Sequence, residues 1–184
     1  MKQKNIPYYI VGLLLICLIG CVPSINPLYT ENVIVFDSSL LGDWENQEEL
    51  WTFKKKNDLE YEILHTYRGE LIRLQAHLVK LEEHHFLNLK LNDSISINYL
   101  KQTLLFPVHG FVKINLNGTH IELSMLEPEQ MIKAINRREV QIKNVKSAEG
   151  RILLTASSKE LQSFVLAHLE LFKKPLRFNK IDSQ

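Results

Sequence analysis

The sequence predicts a mainly β domain, an antiparallel barrel or strongly curved sheet, with two short helices towards the C-terminus. Three observations lead to this fold class. Apolar and polar residues alternate along several successive segments, as they do in half-buried antiparallel strands. The connections between those segments are short and polar, which favours hairpins between neighbours. Only two segments, both late in the chain, show helical spacing instead.

The N-terminal residues have the layout of a secretory signal. Lys2 and Lys4 precede an almost wholly apolar run over residues 6–19, and a small residue follows that run. The uncharged stretch over residues 6–22 is 17 residues long. This length is at the lower edge of the roughly 17–25 residues that span a bilayer. An uncleaved N-terminal anchor with a chance cysteine is therefore the alternative interpretation.

The apolar run ends in Leu18-Ile19-Gly20-Cys21. These four residues resemble the lipobox of bacterial lipoproteins, in which an aliphatic residue, a small or aliphatic one, and Gly or Ala precede Cys. The resemblance implies that residues 1–20 are a cleaved lipoprotein signal peptide and that the Cys21 thiol carries a diacylglycerol. Two or three acyl chains give stable anchoring, because each buried CH₂ contributes about 0.8 kcal/mol.

The same resemblance implies a location. Lipoproteins retained at the inner membrane carry Asp after the acylated cysteine, whereas this sequence has Val22. We therefore expect an exported protein whose first partner is the membrane that holds the acylated Cys21. In a double-membraned host this is the periplasmic face of the outer membrane; otherwise it is the outer face of the cytoplasmic membrane.

Composition and length limit the remaining classes. Residues 21–32 are predicted to hold the lipidated cysteine and a polar linker that lifts the domain off the membrane. Residues 33–184 are predicted to form one β-rich domain, long enough to be stable without staples. The 22 basic and 21 acidic residues nearly balance, which gives no nucleic-acid footprint. With Cys17 discarded and Cys21 acylated, no thiol remains for a disulfide, a metal or a nucleophile.

The predicted strands follow from the alternation. Asn117-Gly118 is the strongest hairpin signal, because this pair tolerates positive φ at both central positions of a type I′ turn. Residues 33–36 are either a strand or an entry segment, and residues 92–102 are irregular. The predicted strands cover residues 50–53, 59–63, 71–81, 85–91, 108–116, 119–126, 151–155 and 176–178.

Both predicted helices have start signals. The first begins at Glu127-Pro128-Glu129, since Pro is favoured in the first helical turn, and it ends at Arg137 and Arg138, where positive charge stabilises the helix end. The second opens with the capping box Ser157-Ser158-Lys159-Glu160.

A short motif follows the apolar entry segment. Gly42-Asp43-Trp44 resembles the Gly-x-Trp motif that opens the lipocalin barrel. The resemblance implies that Trp44 closes one end of a lipocalin-like barrel beneath a late arginine, a role for which Arg177 is the candidate. The second lipocalin motif, Thr-Asp-x-x-Tyr, is not recognisable in this sequence.

A wider set of residues resembles a group of uncharacterised bacterial lipoproteins. The resemblance implies a β-rich exported domain with no established activity, so no catalytic residue is carried over. It extends over residues 27–91, with a weaker similarity in residues 152–168. The matching residues are Leu40-Leu41-Gly42-Asp43-Trp44, Trp51-Thr52-Phe53, Tyr61, Ala76-His77-Leu78 and Phe86-Leu87-Asn88-Leu89.

Catalytic and metal chemistry have weak support. No Gly-x-Ser-x-Gly, glycine-rich phosphate loop or separated carboxylate pair is evident, and no cofactor is implied. None of the seven histidines has the spacing of metal ligands, so we expect no metal site. These histidines are His65, His77, His84, His85, His109, His120 and His168.

The aromatic residues on the early strands allow two interpretations. Trp44, Trp51, Phe53 and Tyr61 either line a pocket for a small apolar ligand or form the core. The core interpretation is favoured, because large aromatic side chains dominate cores generally. An eight-stranded barrel has room for one small ligand or is filled by side chains.

The sequence therefore predicts a non-enzymatic, lipid-anchored lipoprotein of the cell envelope that binds a small apolar ligand or lipid. The alternative is an interaction or assembly factor with a filled core and an external surface that binds another envelope protein. An enzyme ranks third, since it would need polar groups that converge in a cleft.

Overall fold

The computed structural model describes residues 22–92 and 107–181. The predicted signal peptide and Cys21 lie outside these ranges, as does most of the segment predicted to be irregular. The described residues contain two α-helices, α1 (Pro128–Asn136) and α2 (Ser158–Ala167). They also contain the strands β1 (Ile34–Val35), β2 (Gly42–Glu45), β3 (Glu49–Lys55), β4 (Tyr61–Tyr67), β5 (Glu70–Leu81), β6 (His84–Leu91), β7 (His109–Asn117), β8 (His120–Leu126), β9 (Asn144–Lys146), β10 (Ile152–Leu154) and β11 (Phe172–Lys180).

Eight antiparallel strands close into a barrel. The order around it is β5-β4-β3-β2-β11-β8-β7-β6, and β6 pairs back with β5. β1 lies outside this ring and pairs with β5 at Leu78 and Val79, beyond the residues that pair with β4. The predicted antiparallel barrel with two late helices is confirmed, and it is consistent with a lipocalin-like fold.

The predicted hairpin is confirmed, but its two turn residues are Gly118 and Thr119, because Asn117 pairs with His120 across the turn. Of the predicted pair only Gly118 has a positive φ, +55°, a value that glycine adopts without strain. Two short strands were not predicted. β2 contains Gly42-Asp43-Trp44, for which the sequence predicts only a motif, and β9 lies in a segment without alternation. Both are too short to show a clear period of two.

The alternation along each strand separates two cores. Leu87 and Val112 point into the barrel, whereas their neighbours Phe86 and Phe111 point outward. Both helices cover this outer face: α1 buries Met131 and Ala134, and α2 buries Leu161, Phe164 and Val165. The predicted capping box at Ser157 and Glu160 is present. The barrel therefore has an inner core of its own and an outer core beneath the helices.

The residues predicted to form a linker are packed instead. Val22 is 1% exposed and Leu28 is fully buried, both in the outer core. Ser24 exchanges two backbone hydrogen bonds with His109, each 2.8 Å long. The structure therefore differs from the predicted free linker over residues 22–32, because its polar residues satisfy backbone groups rather than solvent. Within the described residues, no helix is both long enough and apolar enough to cross a membrane.

Candidate functional site

The four predicted aromatic residues lie together inside the barrel. Trp44, Trp51, Phe53 and Tyr61 are all buried in the inner core. The ring centroids of Trp51 and Phe53 are 6.3 Å apart, and those of Phe53 and Tyr61 are 6.2 Å apart. Phe178 of β11 adds a further ring 6.2 Å from Trp51. The rings come from four neighbouring strands, β4, β3, β2 and β11, and they fill this part of the interior.

Trp44 is fixed at one end of the barrel by two contacts. Its indole Nε1–H donates to the Leu40 carbonyl oxygen at 2.8 Å. The Lys180 ammonium lies 4.9 Å from the Trp44 ring centroid, within the range of a cation–π interaction. The expectation that Arg177 lies over this tryptophan is wrong. The Arg177 guanidinium is instead 3.3 Å from His120 Nδ1, because β11 brings Lys180 level with Trp44.

Glu49, Trp51 and His65 form a polar triad near the start of β3 and the end of β4. Glu49 Oε2 accepts a hydrogen bond from Trp51 Nε1 at 3.0 Å and lies 2.9 Å from His65 Nε2. The contact with His65 is the main reason that the Glu49 pKa is lowered, and Trp51 adds to it. The three side chains contact one another, so we interpret the triad as a structural hydrogen-bond network.

The described residues also form a polar pocket of about 350 Å³ on the outer wall of the barrel. One side of it is the sheet, and the other is the N-terminal segment that crosses the sheet. Strand register brings its residues together, since His77 pairs with Asn88, and Lys90 pairs with both Gln75 and His109. The lining residues are Pro27, Tyr29, Glu60, Gln75, His77, Asn88, Lys90 and His109.

Asn88 joins the two sides of this outer pocket. Its Oδ1 accepts the Leu28 backbone N–H at 2.9 Å, and its Nδ2 lies 3.1 Å from His109 Nδ1. Asn88 is itself buried, so its amide interacts with these partners instead of with water. On the other side of the pocket, the Tyr29 ring lies 4.3 Å from the His77 ring.

Burial sets the charge of the pocket. It lowers the pKa values of His77 and His109, which favours neutral imidazoles, and it is the main cause of the raised pKa of Tyr29. The Glu60 carboxylate is occupied by Lys56 at 3.1 Å and by Asn57 at 2.9 Å. The pocket therefore offers neutral hydrogen-bonding groups together with the ammonium of Lys90.

This arrangement suits a polar group better than a metal ion. Across the described part of the chain, no group of three or more His, Cys, Asp or Glu side chains is placed to hold a metal. In the sequence alone, His77 is an isolated histidine and Asn88 has no predicted role in a site. One signal was available: the outward residues of β5 change from Gln75 and His77 to the apolar Val79 and Leu81, which indicates that another segment covers the strand.

Comparison of the chain with protein-family models, curated proteins and solved structures gives no match. The resemblances to lipocalins and to bacterial lipoproteins therefore rest on the motifs described above and on the barrel.

Proposed function

We propose that this protein is a non-enzymatic lipoprotein of the bacterial cell envelope that binds another envelope protein through its outer surface. It is exported, anchored by the acylated Cys21, and placed at the outer membrane in a double-membraned host. The observation that carries the proposal is the ring packing of Trp51, Phe53, Tyr61 and Phe178, which occupies the interior where a ligand would bind. This filled interior favours a binding site on the outer surface.

The outer polar pocket is the favoured part of that surface. Its histidines and amides can donate and accept hydrogen bonds without a strong charge, and Lys90 adds a cation for a carboxylate. The N-terminal segment forms one wall, so a partner that enters the pocket contacts residues next to the membrane anchor. The partner's chemistry is accordingly a polar or acidic side chain presented by an envelope protein.

Binding of a small apolar ligand or lipid is the second candidate. The apolar character of the inner core favours it, because a ligand would meet almost only carbon atoms there. The aromatic rings would have to move apart to admit such a ligand. Native mass spectrometry of protein purified from its host tests this role, and a stoichiometric lipid on the intact protein would replace our first proposal.

Metabolic labelling with a palmitate analogue in a bacterial host tests the anchor. Cys21→Ser should abolish labelling and leave the unprocessed precursor. Cys17→Ser is the matched control, because it removes a cysteine from the segment predicted to be discarded. Labelling that survives Cys21→Ser would show that the protein is not a lipoprotein of this kind.

Site-specific photo-crosslinking tests the binding surface. A photoreactive residue at Gln75 lies in the pocket, whereas one at the exposed Lys54 of β3 lies outside it. We expect one discrete crosslinked envelope protein from position 75 and none from position 54, and Lys90→Glu should weaken the product. Equal products from both positions, or a product unaffected by Lys90→Glu, would contradict the role of the pocket.

A further inference from the structure

The first described residues lie between two strands. Ser24 forms an antiparallel bridge with His109 of β7 and a parallel bridge with Leu154 of β10. The Leu154 N–H donates to the Pro23 carbonyl oxygen at 2.9 Å, and the Ile25 N–H donates to the Leu154 carbonyl oxygen at 3.0 Å. Residues 23–25 are therefore fixed to the domain by backbone hydrogen bonds on both edges.

The parallel bridge determines where the chain enters the domain. Two residues before Ser24, Val22 falls level with Ile152 of β10. Val22 is bonded directly to Cys21, so the anchor is joined to the domain at the residue that lies beside the start of β10 and the turn of the β9–β10 hairpin. Since Val22 is buried, no free spacer separates the attachment point from the domain.

The end of this hairpin projects from the domain. We call residues 145–151 the hairpin tip. Val145 is 52% exposed, and the rest of the tip is exposed as well. The turn is held by the Ser147 N–H, which donates to the Arg151 carbonyl oxygen at 2.9 Å, and by the Gly150 N–H, which donates to Ser147 at 3.0 Å. An exposed turn with two backbone hydrogen bonds thus lies beside Val22, the residue that follows the proposed anchor.

The chemistry of the hairpin tip fits a phospholipid surface. Lys146 and Arg151 are both basic. They lie close together on the two strands of the hairpin, because Lys146 pairs with Ile152, the residue after Arg151. Glu149 is the one acidic residue of the tip, and its pKa is lowered mainly by a hydrogen bond with Ser147. Arginine and lysine both bind phosphate oxygens, and an exposed valine tolerates the headgroup region.

We propose that the hairpin tip is the part of the domain that contacts the membrane, and that its occupant is the phospholipid surface holding the acyl chains of Cys21. This inference rests on the proposed acylation. The antiparallel bridge of Ser24 with His109 takes the chain from Ser24 back to Val22 in the direction of Asn117, so the hairpin tip lies towards this end of the barrel. The absence of a spacer fixes the orientation, so the β4–β5 turn at the other end points away from the lipid. Glu70, beside that turn, is ten residues along β5 from Lys80, which is level with Ile114 of β7; the separation corresponds to about 33 Å at about 3.3 Å per residue.

Depth-dependent fluorescence quenching on the acylated protein tests the orientation. The mature chain lacks a free thiol when Cys21 is acylated, so a single introduced cysteine can be labelled specifically. Val145→Cys and Ala148→Cys report on the tip, and Glu70→Cys, at an exposed position beside the β4–β5 turn, reports on the far end. The protein is reconstituted in phosphatidylcholine and phosphatidylglycerol vesicles that carry a headgroup quencher. We expect the tip labels to be quenched several-fold more strongly than the label at position 70.

Charge reversal tests the contribution of the basic residues. Lys146→Glu with Arg151→Glu should reduce quenching at position 148 in anionic vesicles, whereas Lys54→Glu with Lys173→Glu, both at exposed positions, should not. Equal quenching at the tip and at position 70 would overturn the proposed orientation. Mass spectrometry of the same sample separates the two proposals: a missing acyl group refutes the anchor, whereas an acylated protein with equal quenching refutes only the membrane contact.

Discussion

The Tyr61 hydroxyl makes two hydrogen bonds with the backbone of Asp37. It accepts from the Asp37 N–H at 2.7 Å and donates to the Asp37 carbonyl oxygen at 3.0 Å. Tyr61 is fully buried at the start of β4, and Asp37 follows the outside strand β1. The Phe36 ring stacks on the Tyr61 ring at 4.7 Å. One inner-core side chain thus holds the exit of the outside strand against the barrel.

Tyr61→Phe should destabilise the fold by about 1–3 kcal/mol, because it leaves the backbone donor and acceptor of Asp37 without this partner. The ring itself is kept, so packing changes little. Urea unfolding measures the loss. Tyr67→Phe is the matched control on the same strand, where the side chain is partly exposed. Equal effects of the two changes would show that the hydroxyl contacts contribute nothing.

Burial raises the pKa of Tyr61 to about 12. Because the pKa is higher in the folded than in the unfolded chain, the neutral phenol contributes stability in full below the unfolded value of about 10. That contribution is lost as the pH rises from about 10 through about 12. Urea unfolding across this range should show the decline in the wild type and a smaller one in Tyr61→Phe. Parallel curves would contradict the assignment.

Lys180→Met should cost about 1 kcal/mol of unfolding free energy. It removes the cation above the Trp44 ring and the hydrogen bond from Lys180 Nζ to the Ser39 carbonyl oxygen at 2.9 Å. Arg177→Met is the control, since Arg177 is exposed, and we expect it to stay within about 0.5 kcal/mol of the wild type. Thermal or urea unfolding distinguishes the two, and a larger loss from Arg177→Met would restore the arginine to the role that the lipocalin resemblance gives it.

Asn88→Ala should loosen the N-terminal segment. The change leaves the buried Leu28 N–H without its acceptor, at a cost of about 1–3 kcal/mol. Hydrogen exchange should therefore accelerate over residues 22–30 more than in β3 and β4. Asn115→Ala, at an exposed position of β7, provides the control. Unchanged exchange at Leu28 in Asn88→Ala would show that other contacts hold the segment.

Acidification should destabilise the outer pocket. Burial is the main cause of the lowered pKa values of His77 and His109. At His77 the Glu60 carboxylate opposes this lowering and Lys56 adds to it. At His109 the Lys90 ammonium adds to the lowering. The unfolded chain therefore binds protons first, so stability is complete above about 6.5 and falls as the pH drops through the folded values. His77→Gln with His109→Gln should flatten this dependence, and His120→Gln should not. Unfolding curves at several pH values provide the measurement.

The strands were predictable where one face is buried and the other is not. In β5 and β3 the inward residues recur at every second position, so the alternation reads directly as a strand. β9 has only three residues, and its position depends on β10 and on Ser24. Such a strand leaves no local period, and only tertiary contacts define it.

The outer pocket was not predictable for a related reason. Gln75 and Lys90, or His77 and Asn88, become neighbours only when the β5–β6 register is known. The N-terminal wall was misjudged because Ser24 and Asn26 are polar, and polar residues next to prolines are typical of linkers. In the fold the Asn26 Nδ2 donates to the Ala156 carbonyl oxygen at 2.9 Å. The polarity of these residues indicates that they need hydrogen bonds, but it does not indicate whether water or the backbone provides them.

Closure of the barrel sets a constraint on when the protein can fold. β2, near the start of the domain, pairs with β11 at Asn179 and Lys180, near its end. When a chain emerges N-terminus first, β2 and β8, the two strands that flank β11, each keep an unpaired edge until β11 arrives. Exposed strand edges invite pairing with other chains, and long-range pairing slows folding. The interval before closure is accordingly the period in which this protein most needs protection from aggregation.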